Sequence, residues 1–268
     1  MLTELLRQAV KRVGYLDAAV IMAFVLSRDK TGVMTARDDE TLSPEQAARF
    51  SELVDQRAAH KPLAYIIGKR EFMGLDFEVN EHTLIPRPDT EIAAETALDM
   101  IEEKNIKTVL DLCTGSGCIA ISLYARSIVK PDITASDISL KALETAKRNA
   151  ARHKAPIAFI RSDMFSDIDP FAYEMIIANP PYIPRGEIAA LPRSVRDYEP
   201  RAALDGGADG LDFYRIIAEK AVNYIVLEIG CNQAEDVRNI LISRRFINIR
   251  VINDLSGHNR VITAQKDG

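Results

Sequence analysis

Lys107–Arg126 reads KTVLDLCTGSGCIAISLYAR. The short apolar run KTVLDL predicts a strand, and Gly117–Arg126 predicts a helix. Between them lies Asp111-Leu112-Cys113-Thr114-Gly115-Ser116-Gly117. Glycines at a strand-to-helix junction let backbone approach a ligand closely at a helix N-terminus. The spacing is near a dinucleotide fingerprint but departs from it. Cys113 stands at the first glycine position, and Cys118 follows Gly117. On this loop alone, oxidoreductase and transferase both stay open.

Downstream, strand and helix signals alternate. DITASD is a strand, and Ser139 caps a helix to His153. PIAFIRSD and EMIIAN are strands, Leu211–Ala221 is a helix, NYIVLEIG a strand and Gln233–Ser243 a helix. FINIRVIN and NRVITAQ close the chain without a crossover helix, so they predict an antiparallel hairpin. The alternation predicts an α/β fold, a parallel sheet with helices on both faces. Upstream, residues 1–70 read as a small helical bundle. Leu2, Leu5, Leu6, Ala9, Val10 and Val13 line one helix face. Leu16–Ser27 is apolar nearly all round, which predicts a central helix. Ser43-Pro44-Glu45-Gln46 is a helix start with a capping box. Residues 71–88 predict a linking β-hairpin, with FMGLDFEVN and HTLIP as strands around Asn80-Glu81. Asp89 is expected to cap a helix from Thr90 to about Lys104. Residues 89–268 form the α/β domain.

The chain has 268 residues, 47% of them hydrophobic and 27% charged, the balance of a globular protein with a full core. Its net charge of −5 lacks the basic excess of a non-specific nucleic-acid binder, so no direct nucleic-acid partner is expected. Cys113, Cys118 and Cys231 form no paired framework, which fits a reducing cytosol. The histidines, His60, His82, His153 and His258, are scattered, and no metal is expected. The N-terminus has no apolar signal core, and Ala18–Leu26 is far short of a membrane span. The expectation is a cytoplasmic protein without a membrane partner.

Two acidic residues follow later strands. Asp137 ends the second strand of the α/β domain, where a carboxylate accepts both hydroxyls of a ribose. Asp163 follows the third, where an adenine amino group would lie, with Met164 as a soft apolar wall. Asn179-Pro180-Pro181-Tyr182 then follows the apolar strand EMIIAN. Asn179 offers a side-chain oxygen, and Pro180 offers a carbonyl and no N–H. Pro181 restricts Pro180 to extended geometry, which fixes where that carbonyl points. Tyr182 supplies an aromatic wall. Together they make a rigid acceptor cradle. The next 25 or so residues, Ile183–Gly207, carry weak pattern and four arginines, a length that points to a functional loop.

Asp111–Gly117, Asp137, Asp163 and Asn179–Tyr182 resemble the ordered motifs of S-adenosyl-L-methionine-dependent methyltransferases. PLAYIIG (62–68), IPRPDTE (85–91), NPPYI, YEPRAALDGGADGLDFYR (198–215) and LEIG (227–230) are similar to the release-factor glutamine methyltransferase (HemK/PrmC) family. The resemblance implies a Rossmann-like seven-stranded sheet and a small N-terminal substrate-recognition domain. It also implies methyl transfer to the glutamine amide nitrogen in the Gly-Gly-Gln loop of class-1 peptide chain release factors, with S-adenosyl-L-homocysteine as product. The implied cofactor set is Asp111, Cys113, Thr114, Gly115, Ser116, Gly117, Asp137, Asp163, Met164 and Asn179. Asn179, Pro180 and Tyr182 are the implied catalytic residues, with Pro181 added for substrate binding. Cys113 departs from the superfamily glycine, and its small side chain is tolerated if the backbone there is not left-handed. A monomer is expected. Three rivals remain. A ribosomal-protein glutamine methyltransferase shares NPPY but is expected to differ at IPRPDTE. A DNA adenine-N6 methyltransferase would need a target-recognition domain and room for an extruded base. A non-catalytic nucleotide-binding module has no use for an intact NPPY.

Overall fold

The computed structural model describes residues 2–28, 41–221 and 223–267. In chain order the helices are α1 (Leu2–Val13), α2 (Tyr15–Leu26), α3 (Pro44–Ala58), α4 (Leu63–Ile67), α5 (Pro88–Lys104), α6 (Cys118–Arg126), α7 (Leu140–Arg152), α8 (Arg193–Arg196), α9 (Asp212–Lys220) and α10 (Ala234–Ser243). The strands are β1 (Lys69–Phe72), β2 (Leu75–Glu78), β3 (Thr108–Leu112), β4 (Asp132–Asp137), β5 (Ala158–Arg161), β6 (Met175–Ala178), β7 (Tyr224–Glu228), β8 (Phe246–Asn253) and β9 (Asn259–Lys266).

The chain divides into two units. The first comprises the described residues up to Lys69 together with Pro192–Tyr198. Its core is one cluster, in which Ala18, Ile21 and Met22 of α2 meet Phe50, Leu53 and Val54 of α3. The capping box forms: Ser43 Oγ accepts from Gln46 N at 3.2 Å, and Gln46 Oε1 accepts from Ser43 N at 2.9 Å. Asp17 and Arg57 pair at 2.6 Å, tying α2 to α3. α2 packs against α1, α3 and α4, the central place its apolar sequence predicts, with Leu16 and Phe24 exposed on its remaining side. Tyr198 donates to the Ala59 carbonyl at 2.8 Å, so the segment around α8 is built into this unit.

The second unit, Arg70–Leu191 with Glu199–Gly268, holds a seven-stranded sheet in the order β5-β4-β3-β6-β7-β9-β8. All neighbours are parallel except those of β9, which runs against both β7 and β8. Alternation along β3 splits the core between the two sheet faces. Val109 joins α5, α6 and α7 in one cluster, whereas Leu110 and Leu112 join α9 and α10 in the other. From β3 the chain steps outward through β4 to β5, then returns to β6 on the other side of β3. This reversal opens a crevice at the carboxyl ends of β3 and β6, where α/β sheets bind ligands.

The hairpin lies elsewhere than expected. Its strands are β1 and β2, and its two-residue turn is Met73-Gly74, both at positive φ (49° and 75°). That is the geometry of a primed turn, matched to strand twist. Asn80 does start a turn, accepting from Thr83 N at 3.0 Å, but HTLIP is not a strand. Likewise α5 starts at Pro88, with Arg87 at the N-cap and Asp89 in the first turn.

Candidate active site

The loop after β3 is held from three sides. Asp111, fully buried, accepts from Thr114 Oγ1 at 2.6 Å and from Ala120 N at 3.2 Å. These bonds fold the loop back onto the first turn of α6. Burial pushes the Asp111 carboxyl up to about 7, and its Oδ1 has no partner among the described residues. Thr114 N donates to the Ser136 carbonyl of β4 at 2.9 Å. Asn149 of α7 donates to the Ser116 carbonyl at 2.9 Å and completes a two-way pairing with Glu78 of β2. Gly117 caps α6 at φ 80°, and a Cβ there would meet Ala146 Cβ and Ile121 Cδ1 at 3.1 Å. Asp111, Thr114, Ser116 and Gly117 therefore lie behind the loop surface, and Cys113 and Gly115 present it to the cavity.

Cys113 is left-handed, with φ 59°. The condition under which a side chain would sit there without strain is thus not met, since a Cβ is disfavoured in this region. Its Sγ lies 3.9 Å from Met164 Sδ, and Met164 is itself left-handed at φ 48°. Two strained sulfur residues face each other across one wall.

The carboxylate of Asp137 spans two elements. Its Oδ2 accepts from Gly115 N and its Oδ1 from Ser139 N, each at 2.9 Å. Burial raises its pKa, and the backbone N–H groups oppose that by holding the charged form. Asp163 is exposed at the rim of the cavity, and Met164 is buried beside it.

Asn179 and Pro181 line the same cavity from β6, while Pro180 and Tyr182 do not. Asn179 Nδ2 donates to Thr90 Oγ1 of α5 at 3.2 Å, which leaves its Oδ1 unengaged by that bond. Pro180 and Pro181 are buried, and the Tyr182 ring packs on the α9–α10 side core. Burial pushes the Tyr182 hydroxyl far up, so it stays protonated. The Tyr182 carbonyl accepts from Gln233 Nε2 at 2.9 Å, and the Gly230 N–H donates to Gln233 Oε1 at 3.0 Å. Behind the turn, a Cβ at Gly206 would meet Pro181 O and Tyr182 Cα at 2.8 Å. Only glycine permits that approach. Ile183 N donates to Leu204 O, and Gly206 N to Ile183 O, fastening the turn to the later loop. Glu199, buried, accepts from Ile85 N at 3.2 Å and pairs with Arg87.

These walls enclose a cavity of about 460 Å³, a size typical of small-ligand sites. Its lining includes Glu81, Asp137, Asp163 and Asp205, against Arg185, which is already paired with Asp205 at 3.0 Å. A pyrophosphate would meet repulsion here, whereas a cationic nucleoside would not. A Cβ at Gly115 meets nothing within 4 Å, so backbone is offered directly to the cavity. The residues present thus fit a sulfonium nucleoside better than a dinucleotide. Thr90, Glu228 and Gly206 enter the sequence reading only as members of the motifs IPRPDTE, LEIG and YEPRAALDGGADGLDFYR, and Gln233 and Asn149 give no functional signal. Thr90 and Asn149 sit inside helices, and Gly206 and Gln233 lie in loops whose partners are distant along the chain.

The fold and this crevice define a methyltransferase of the Rossmann-like class. Residues 87–191 match the model of the methyltransferase small domain, and residues 2–68 match that of the PrmC N-terminal domain. The hMettl16 catalytic domain in complex with a MAT2A 3′UTR hairpin superimposes with a TM-score of 0.61 at 14% identity, covering 92% of this chain and 93% of that one. The T. thermophilus 16S rRNA N2 methyltransferase RsmC, in complex with AdoMet and guanosine, gives 0.52 at 14%, covering 74% and 50%. Both likenesses concern the fold. The release factor glutamine methyltransferase of Geobacter sulfurreducens is 39% identical over 253 residues, 92% of this chain and 88% of that one. That of Moorella thermoacetica is 36% identical over 281 residues, 99% and 98%. The chain belongs to the release factor glutamine methyltransferase family. Among the described residues, no helix is long and apolar enough to cross a membrane.

Proposed function

We propose that this enzyme methylates the side-chain amide nitrogen of the glutamine in the Gly-Gly-Gln loop of class-1 release factors, with S-adenosyl-L-methionine as donor. The observation that carries the reading is Asn179, which lines the cavity and whose amide N–H is tied back to Thr90, leaving its oxygen outside that bond. In this assignment Asp137 accepts the ribose hydroxyls, Asp163 and Met164 receive the adenine, and Cys113 and Gly115 offer backbone. The cofactor supplies a methyl already activated on sulfur. What the protein must supply is the nucleophile, because an amide lone pair is delocalised into its carbonyl. Asn179 Oδ1 accepts one amide hydrogen at the cavity wall, which aims the lone pair and favours its localisation as the C–N bond forms and the C–S bond breaks; the Pro180 carbonyl, expected to take the second, belongs to a residue that does not itself line the cavity. One amide proton then passes to solvent, and S-adenosyl-L-homocysteine leaves as a neutral thioether. Neutral Asn179 acts through orientation and electrostatics, not as a base. The Tyr182 backbone, fastened by Gln233 and Gly206, keeps the turn from yielding. The helical unit is assigned to gripping the release factor, and the enzyme to acting as a cytoplasmic monomer.

The test uses methyl-labelled S-adenosyl-L-methionine and four acceptors: release factor, release factor with Gln→Ala in its Gly-Gly-Gln loop, ribosomal protein, and duplex DNA. Label is expected only in the first. Label that persists in the Gln→Ala protein, or appears in ribosomal protein or DNA instead, overturns the assignment.

A further inference from the structure

We infer that Glu228 is a positioning residue for methyl transfer: it sets which way round the Asn179 amide stands, and so whether oxygen or N–H faces the acceptor. The inference rests on the acceptor role proposed for Asn179. Strands β6 and β7 pair with Ala178 opposite Leu227, so Asn179 and Glu228 are neighbours at adjacent strand ends. Glu228 is buried, as is Thr90, whose hydroxyl receives the Asn179 N–H.

A hydroxyl both donates and accepts, so the Thr90 bond alone is compatible with either orientation of the amide. An ionised carboxylate only accepts, and it therefore selects the orientation that turns N–H inward and Oδ1 outward. The Thr90 and Asn179 side chains are the two groups whose hydrogen bonding favours the charged form of Glu228. Its Oε2 is buried without a partner among the described residues and has capacity for the second Asn179 N–H. Protonation reverses the logic. A neutral carboxyl carries an O–H that donates to Asn179 Oδ1, turning the amide N–H groups toward the cavity, where they oppose the N–H groups of the acceptor.

Burial is the largest influence on Glu228 and pushes it up to about 7. The groups facing it are Asp89 of α5, which raises it further, Arg260 of β9, which opposes, and Tyr182, Tyr214 of α9 and Cys118 of α6. Burial pushes both tyrosines and Cys118 up, so these three remain neutral at neutral pH. The charge state of Glu228 is thus positioned to switch the cradle near neutrality.

Two readouts on the full chain test this. With selective ¹⁵N-asparagine labelling, the Asn179 side-chain amide resonance, assigned by its loss in Asn179→Asp, is expected to move between about pH 6 and about pH 8. In Glu228→Gln it is expected to stay still over that range. This readout does not depend on the acceptor. In turnover with saturating release factor, wild-type kcat is expected to fall about tenfold per pH unit below about 7. Glu228→Gln is expected to lower kcat about tenfold or more and lose that limb, with S-adenosyl-L-homocysteine affinity kept within about threefold by calorimetry. Should Glu228→Gln fold poorly, Thr90→Val is expected to lower kcat and Thr90→Ser to restore it. An Asn179 resonance that ignores pH in the wild type, or titrates equally in Glu228→Gln, overturns the inference. So does a Thr90→Val enzyme with wild-type kcat. Failure of the acceptor assignment shows differently, as a wild-type enzyme that puts no label on the release factor while the Asn179 resonance still titrates.

Discussion

Asp111 and Glu228 stand at the carboxyl-end regions of β3 and β7, either side of the crevice, and make an instructive pair. Each is fully buried, each is pushed up to about 7 by that burial, and each leaves one oxygen without a partner among the described residues. By the pKa they reach they are indistinguishable. Their surroundings separate them. Asp111 accepts from Thr114 and Ala120, groups that shape the loop and the start of α6. Glu228 faces Thr90 and Asn179, and Asn179 lines the cavity. A shifted carboxyl therefore marks a stressed site, and only its partners say whether the stress is spent on shape or on chemistry.

The largest effect expected is that of Asn179→Ala. Loss of one acceptor of a preorganised pair should cost about 10³-fold or more in kcat, while binding of S-adenosyl-L-homocysteine falls far less. Stopped-turnover assays and calorimetry on one preparation measure both. If affinity falls as steeply as kcat, Asn179 belongs with Asp111 on the side of shape, and the contrast fails.

Asp111→Ala is expected to act the other way round. It orphans the Thr114 hydroxyl and the Ala120 N–H in a dry site, at a cost of roughly 3 kcal/mol. For a chain of this size that is a fall of about 6–10 °C in melting temperature. Thermal denaturation checks it. An unmoved melting temperature with lost turnover would put Asp111 in the chemistry.

How these roles were hidden follows from the physics of the pattern. The sheet was legible because apolar runs such as Val109–Leu112 and Met175–Ala178 are bounded by turn chemistry, and the terminal hairpin because no crossover separates β8 from β9. The cavity residues Asp137, Asp163 and Asn179 were legible because the fold puts strand ends there. Met73 was not, since methionine at positive φ is an unfavourable turn residue that only tertiary packing sustains. The Asn80-Glu81 signal, chemically the better one, drew the hairpin to the wrong place. Thr90 and Asn149 look like ordinary helix polars. Their hydrogen bonds run to Asn179 and to Glu78 and Ser116, partners that no local window contains. Glu228, in an otherwise apolar strand, was visible as an anomaly, as was Asp111 in β3.

The two carboxyls should also separate by pH. Asp111 has a folded pKa near 7, above its ordinary value of 3.8, so the native protein holds a proton that the unfolded chain has released. Its contribution to stability is full below the unfolded value and is lost as pH rises through about 7, at up to ~1.4 kcal/mol per pH unit. Glu228, raised from 4.5 to about 7, has the same sign. Asp111→Asn and Glu228→Gln should each gain on the wild type by on the order of 2 kcal/mol between about pH 5 and about pH 8. Denaturation at several pH values measures the gain. The comparison is sharpened if both variants show it but only Glu228→Gln removes the acid limb of kcat.

The smallest effect concerns the loop beside Asp111. Cys113 pays for a side chain in the left-handed region, where a Cβ crowds the following carbonyl at a cost of roughly 1–2 kcal/mol. Cys113→Gly removes that strain and forfeits the 3.9 Å contact with Met164; glycine's extra unfolded-state entropy, about 0.5–1 kcal/mol, works against the gain. The net is expected to be a stabilisation of at most about 1 kcal/mol, a rise of about 2–4 °C. A fall in melting temperature would mean that the sulfur–sulfur contact outweighs the backbone strain. The wall of the cavity would then be held by Cys113 and Met164 as a pair, and the loop would owe its shape to more than the Asp111 carboxyl.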